Sequence, residues 1–313
     1  MIILIEPNRE AGFTSGGYRY QSSVFGQLSP EQGCIVTATA DGLHALVDSL
    51  RLQNPGALIV VDGLFSELSS KPLPGGCIAL LHMVPTRLDW CEQPMHVVTT
   101  SAATAVSVAS DSRSTAVVRP GIDVCFEQPR VARIPGTAIQ IVCVGTVSAS
   151  KGQVRLVRIL ESISAQWRLE LIGSSDAKSA EVARLHQASA GLPVDLMGAI
   201  SIEQVAGRFA RADLLVSLSL SESFGMSVAE AAAAGLPVLA LAAGEIEDFI
   251  EHGKNGWVLP SDADDDHIKA CLLDLFLAPD KLAAAKSARL RPSLASWEGV
   301  AQDFLQACIA TQS

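Results

Sequence analysis

The chain has 313 residues, 49% of them hydrophobic and only 18% charged, with 33 acidic against 23 basic side chains. This length accommodates two domains of ordinary size, each able to bury its own core, and the apolar composition excludes a disordered chain kept in solution by charge. A net charge of −10 argues against a nucleic-acid binder, whose phosphate contacts need a basic surface.

The opening residues, MIILIEPNRE, reach Glu6 after five apolar positions, too short a run for the core of a signal peptide. No later apolar run approaches the roughly 20 residues of a membrane span. Short apolar runs alternate with longer stretches of helical period, the pattern of parallel α/β layers. Strands are predicted at 1–5, 34–38, 57–61, 77–81, 95–99 and 115–118, with helices near 16–28, 41–53 and 101–110. The stretch 126–137, FEQPRVARIPGT, holds two prolines and little periodicity and reads as a linker. A second series follows, with strands at 139–144, 168–172, 193–197, 213–218, 237–241 and 256–259. Its helices are predicted at about 151–163, 177–190, 201–211, 226–234 and 245–252, with a helical tail from 263 onward.

Two doubly wound domains in tandem follow from this pattern. Nine basic residues face twelve acidic ones before residue 136, and fourteen face twenty-one after it, so neither half is a basic module. The seven cysteines (34, 77, 91, 125, 143, 271 and 308) are odd in number and form no CxxC pair. That spacing argues against a disulfide framework or a zinc site and for a reducing compartment, so a cytoplasmic enzyme is expected. In doubly wound domains ligands sit at the carboxyl ends of the strands, which places the expected site between the two domains.

The most informative segment is 213–243, DLLVSLSLSESFGMSVAEAAAAGLPVLALAA. A buried strand runs into the polar turn Ser221-Glu222-Ser223, and an alanine-rich helix begins near Gly225. Gly235 and Pro237 end that helix in the usual order. Such a helix start offers the backbone N–H groups of Gly225, Met226, Ser227 and Val228 as a seat for a phosphate. Glu222 and Glu230 bracket it, eight residues and about 12 Å of helix rise apart, too far to share a proton. They are expected to act on different parts of one extended ligand. On spacing alone the plainer reading is that Glu222 complements the helix dipole and Glu230 lies on a solvated face.

Strand, ESFG, a second Glu eight positions after the first, and AAAAGLPVLA together resemble the signature of the retaining glycosyltransferases of family 4. GTVSASKG (145–152) resembles that family's loop after the first strand of the second domain, and LELIG, DLMGAIS and GEIEDFIEHGKNGWVLP follow in the family's order. Before the linker, GGYRYQ (16–21) resembles its glycine loop, LLHMVP (81–86) its strand-end histidine, and SAATAVS with VVRPGID the stretch ahead of the linker. SWEGVAQDFL (296–305) resembles its last helix. The resemblance implies the α/β fold called GT-B, two facing Rossmann-like doubly wound domains whose C-terminal helix crosses back to the first. The implied limits are 1–130 for a shortened acceptor-side domain, 131–292 for the nucleotide-sugar domain and 293–313 for the crossing helix.

By matching position, the resemblance implies that Glu230 binds the ribose hydroxyls and Glu222 holds the donor sugar. It also implies that Lys151 pairs with the diphosphate, and that the amides of Gly16, Gly17 and the helix start add neutral donors. His82 would reach towards the sugar, while Thr146 stands where many relatives carry Arg. Arg19, Arg87 and Arg119 are the candidates to supply that missing cation. The implied reaction is a retaining, metal-independent transfer from a nucleotide-diphosphate sugar to an unidentified acceptor, with no cofactor, no nucleic acid and at most transient contact with a membrane surface. Two alternatives are a non-catalytic sugar-nucleotide-binding scaffold and a hydrolase or epimerase of the sugar nucleotide. Asp262-Ala263-Asp264 matches a metal-binding DxD but follows Pro260-Ser261 at a helix start, and so reads as a cap. GxGxxG, Walker, GxSxG and HExxH motifs are absent, which removes nicotinamide, ATP and common hydrolase readings.

Overall fold

A computed structural model describes residues 1–8, 15–87, 89–127, 131, 136–287 and 295–311. Residues 128–130 and 132–135 of the predicted linker, and the predicted boundary at 292/293, lie outside the described residues. The chain forms two compact units, one from 1–11, 17–121 and 295–313 and the other from 12–16 and 122–294.

The first unit holds β1 (Ile2–Pro7), α1 (Gly16–Gly26), β2 (Gly33–Ala38), α2 (Leu43–Gln53), β3 (Leu58–Asp62), α3 (Phe65–Leu68), β4 (Ile78–Leu81), β5 (Met95–Thr99), α4 (Ala102–Val108) and β6 (Ser112–Val117). The second holds β7 (Ile139–Val144), α5 (Gln153–Glu161), β8 (Trp167–Ile172), α6 (Ala180–Ser189), β9 (Val194–Gly198), α7 (Ile202–Arg211), β10 (Leu214–Ser217), α8 (Met226–Ala233), β11 (Val238–Leu241), α9 (Ile246–Phe249), β12 (Gly256–Leu259), α10 (Asp265–Leu277) and α11 (Pro279–Ser287). Last comes α12 (Trp297–Ala310), which returns to the first unit.

Both sheets are parallel and six-stranded, in the orders β2-β1-β3-β4-β5-β6 and β12-β11-β10-β7-β8-β9. This is the α/β architecture expected from the sequence. Strands such as β1, buried at every position, carry an apolar run (Ile2–Ile5) because helices cover both faces of a parallel sheet. In the second unit alternate residues of β7 serve the two faces. Ile141 packs with Leu156, Leu160 and Leu169, while Val142 packs with Phe209, Leu215 and Ala229. Strand order reverses between β1 and β3 in one unit and between β7 and β10 in the other, and at such points the loops diverge and leave a crevice.

Three details differ from the sequence reading. The helix predicted from 151 is split: a 3₁₀ turn covers Ala149–Lys151, and α5 starts after Gly152. Gly152 adopts φ +71°, and a Cβ there would lie 2.6 Å from the carbonyl oxygen of Leu218, so only glycine fits. The helix predicted at 245–252 stops at Phe249, because the buried Asn255 side chain donates to the Phe249 carbonyl at 2.8 Å and accepts the Glu251 N–H at 2.8 Å. The short α3, only four residues long, was hidden in a stretch without helical period. Asp264 caps α10 by accepting the His267 N–H at 2.8 Å, in line with the cap reading of the DxD triplet.

α12 closes the first unit with aromatic side chains. Ser296 caps it, and Tyr20 meets Trp297 and Phe304 edge-on at ring-centroid distances of 5.9 and 6.5 Å. Phe25 meets Phe304 at 5.8 Å, and the Tyr20 hydroxyl donates to the Val118 carbonyl at 3.1 Å. Phe304 is fully buried. Truncating it to alanine is expected to cost the first unit about 3–5 kcal/mol. Hydrogen exchange should then speed up across β1 and α1 while the core of the second unit keeps its protection; uniform loss in both would contradict this assignment.

Candidate functional site

In the second unit, the loops after β7 and β10 carry the charged residues singled out in the sequence. Lys151 ends the 3₁₀ turn after β7, and its Nζ forms an ion pair with Glu222 in the loop after β10. Their side chains are 29% and 13% exposed, so the pair sits at a mouth rather than on open surface. The resemblance implied that Lys151 pairs with the diphosphate and Glu222 holds the donor sugar; the structure pairs the two side chains with each other. Backbone contacts bring them together, since the Ser150 carbonyl accepts the Leu220 N–H at 2.8 Å, and the Ser219 hydroxyl donates to the Ser221 carbonyl at 3.1 Å.

The same mouth is shaped by small residues. A Cβ on Gly244, after β11, would fall 2.3 Å from the Ser223 carbonyl oxygen and 2.7 Å from that of Glu222. The loop after β11 therefore buttresses the turn that carries Glu222. Gly225, at φ +86°, caps α8 without a side chain. Val228 and Ala229 both donate their N–H to the Gly225 carbonyl at 3.0 Å. This corrects the predicted phosphate seat: the Val228 amide is already engaged within the turn, which leaves the amides of Gly225, Met226 and Ser227. Glu230, one turn further along α8, is only 2% exposed, so the reading of it as a solvated face residue is also wrong.

Sequence reasoning missed Gln153. Buried at the first position of α5, it donates through Nε2 to the carbonyls of Thr146 (3.1 Å) and Gly145 (3.3 Å), and its Oε1 accepts the Ser148 N–H at 3.4 Å. One side chain thus stitches the whole loop between β7 and Lys151. Its signal was a polar residue where an apolar helix face begins. Thr146 turns its hydroxyl towards that of buried Ser174 at 3.3 Å, tying the loop to the end of β8. Cys143 lies buried below, its thiol pushed up to about 12 by burial, and is no nucleophile. Among the described residues no group of three or more His, Cys, Asp and Glu side chains could hold a metal ion.

The remaining predicted residues lie at the start of α1, where Gly16 ends a short segment of the second unit and Gly17 begins the first, and at the strand ends of the first unit. Gly16 and Gly17 open α1, and His82 follows β4. A Cβ on Gly17 would lie 2.8 Å from His82 Cδ2, so glycine is required there by the imidazole itself. Arg87 does not answer the search for a missing cation, because it is engaged by Asp89 and by the carbonyls of Ser69 and Ser70.

Residues 126–289, just over half of the chain, match the family described as Glycosyl transferases group 1. Among curated proteins, a D-inositol 3-phosphate glycosyltransferase of Xylanimonas cellulosilytica is 29% identical over 208 residues, 60% of this chain and 49% of that protein. The sulfoquinovosyl transferase SQD2 of Arabidopsis thaliana is 30% identical over 129 residues, 40% of this chain and 24% of that protein. The aligned stretches thus span half or less of these relatives. Among solved structures, the sucrose-phosphate synthase of Thermosynechococcus elongatus superposes with a TM-score of 0.76 at 18% identity, over 99% of this chain and 98% of its own. HepE of Anabaena, solved with UDP and glucose, gives 0.71 at 16% identity, over 99% and 100%. At these identities the likeness establishes the GT-B fold.

Burial holds the pKa of His82 below its ordinary value, against a smaller upward pull from Asp62. The unfolded chain, with histidine near 6.5, therefore binds this proton more readily than the folded one. Stability from this group is fully present above about pH 6.5 and is lost as the pH falls through that value towards the lowered folded pKa. Urea unfolding of the wild type and His82→Asn at pH 7.5, 6.5 and 5.5 is expected to show a steeper acid loss in the wild type, whereas parallel curves would contradict it.

Proposed function

The chain belongs to the group 1 glycosyl transferases, and on that premise we propose that it is a retaining, metal-independent glycosyltransferase that uses a nucleotide-diphosphate sugar. The observation that carries this reading is the convergence of Lys151, Glu222 and the start of α8 at the point where strand order reverses. An ammonium and oriented backbone amides at one mouth suit a diphosphate. Seven free cysteines support a reducing, cytoplasmic setting for the reaction. Among the described residues no helix is long and apolar enough to cross a membrane.

In this mechanism the acceptor hydroxyl attacks the anomeric carbon on the face from which the diphosphate leaves. The bond from that carbon to the phosphate oxygen breaks as the new glycosidic bond forms, and the departing phosphate oxygen takes the acceptor proton. No protein base is required. Lys151 exchanges Glu222 for the diphosphate when the donor enters, which leaves the Glu222 carboxylate to accept hydrogen bonds from the sugar hydroxyls. Their pairing holds the two side chains close to these positions. Charge that grows on the leaving phosphate is met by Lys151 and by the amides of Gly225, Met226 and Ser227, with those of Gly16 and Gly17 as further donors. Glu230, already buried in α8, accepts the vicinal hydroxyls of the ribose. Thr146 lies in the loop that Gln153 stitches, and His82 is the residue proposed to contact the sugar. Acceptor selection belongs to the first unit.

Incubation with a panel of nucleotide sugars, read as release of nucleoside diphosphate, tests this reading. Turnover is expected to survive EDTA, and Lys151→Ala should lower kcat by about two orders of magnitude or more. Loss of activity in chelator with rescue by manganese would overturn the metal-independent mechanism.

The two glutamates should separate kinetically. Glu230→Ala is expected to raise donor KM and weaken nucleoside diphosphate binding at least tenfold, since each hydrogen bond to a charged acceptor contributes about 1.5–3 kcal/mol. Glu222→Ala should leave that binding intact or tighter, because Lys151 no longer has to be drawn from a partner, while kcat falls. Calorimetry with nucleoside diphosphates gives the affinities; the reverse pattern would exchange the two assignments.

A further inference from the structure

The first unit contains a buried polar chain that the proposed chemistry has not yet used. Gln21 on α1 is fully buried, and Asp62, at the end of β3, is 3% exposed. Gln21 Nε2 donates to Asp62 Oδ2 and lies 3.1 Å from His82 Nε2. Asp62 Oδ1 accepts the Leu64 N–H at 2.9 Å, so both carboxylate oxygens face donors. Gln21 Oε1 is buried and meets no donor among the described residues.

These contacts fix protons as well as atoms. An amide nitrogen carries two hydrogens and offers no lone pair. Rotating the Gln21 amide by half a turn would bring its carbonyl oxygen against the Asp62 carboxylate, so Asp62 determines which way the amide faces. With one hydrogen on Asp62, the other is aimed at His82 Nε2, which must receive it through its lone pair. The imidazole proton is then on Nδ1. Loss of a partner for Gln21 Oε1 is the cost of this orientation. The Tyr20 ring, a titratable phenol, meets the imidazole edge-on at 5.4 Å, and Gly17 packs against its Cδ2 edge.

We propose that Gln21 is a positioning residue that fixes His82 in the neutral Nδ1–H tautomer, with Asp62 setting the direction of the Gln21 amide. His82 then presents a donor to its ligand and cannot act there as a base. The chemistry that fits is an oxygen acceptor, a hydroxyl or ring oxygen of the bound sugar. This consequence rests on the proposed sugar contact of His82, whereas the tautomer does not.

Two-bond ¹H–¹⁵N correlation of the histidine rings in the intact protein tests the tautomer directly, with the His82 signals identified by their absence in His82→Gln. Wild type is expected to show a protonated Nδ1 and a bare Nε2 near pH 7. Gln21→Leu should move population to the Nε2–H form. Gln21→Glu places a second carboxylate beside the ring and should raise the His82 titration midpoint by one unit or more, with the acid limb of the pH–rate profile moving by the same amount. A wild-type proton on Nε2, or an unchanged tautomer in folded Gln21→Leu, would overturn the proposal. The expected ring signature alongside a pH–rate profile that ignores Gln21→Glu would uphold the positioning and reject the sugar contact of His82.

Discussion

The reversal of strand order between β7 and β10 is the constraint on which the candidate site depends. Right-handed crossovers carry the chain from β7 towards one side of the sheet and from β10 towards the other, so the two loops part at the strand ends. Neither loop is free to take any path. Gln153 ties the first to itself, Ser150 ties it to the second, and Gly244 pins the second from beneath. The Lys151–Glu222 pair closes the same mouth. A side chain that stitches backbone carbonyls does for this site what a rigid scaffold does for any binding loop: it removes conformations that would have to be lost on binding.

Much of this was legible in the sequence, for a physical reason. A parallel sheet covered on both faces demands strands that are mostly apolar, and IILI, IVCV and LLV announce themselves without any partner in view. The order Gly152 after Lys151, ESFG, then Glu230 marks backbone turns and a helix start that local rules can read. What stayed hidden is long-range. The Lys151–Glu222 pair joins residues 71 positions apart, and Gln21, Asp62 and His82 lie on three different elements. No period links them. Local rules also misjudged Glu230, because an alanine-rich helix has no clear polar face and burial there is decided by the sheet beneath.

Buried polar side chains serve different ends in the two units. In the second, Gln153 and Asp213 satisfy main-chain groups: Asp213 accepts the Gln140 N–H at 2.9 Å and the Lys286 ammonium at 2.6 Å, which fastens α11 to the start of β10. Those contacts hold structure. In the first, Gln21 leaves one oxygen unmet so that its nitrogen can address both a carboxylate and an imidazole. A side chain that tolerates such a loss in a sealed interior marks a place where orientation matters more than stability.

The return of α12 to the first unit bears on how the protein is made. During synthesis the strands from β1 to β6 leave the ribosome before α12, so Tyr20 and Phe25 lack their aromatic partners until Trp297 and Phe304 appear. At about 5–20 residues per second the second unit and α12 take roughly ten to forty seconds more to emerge. Throughout that interval the first unit presents an unfilled aromatic groove to everything around it, while the second, whose segment from 122 to 294 is contiguous, can fold as soon as it is complete. The first unit is therefore the part most exposed to aggregation and to chaperones during synthesis, and its maturity waits on α12.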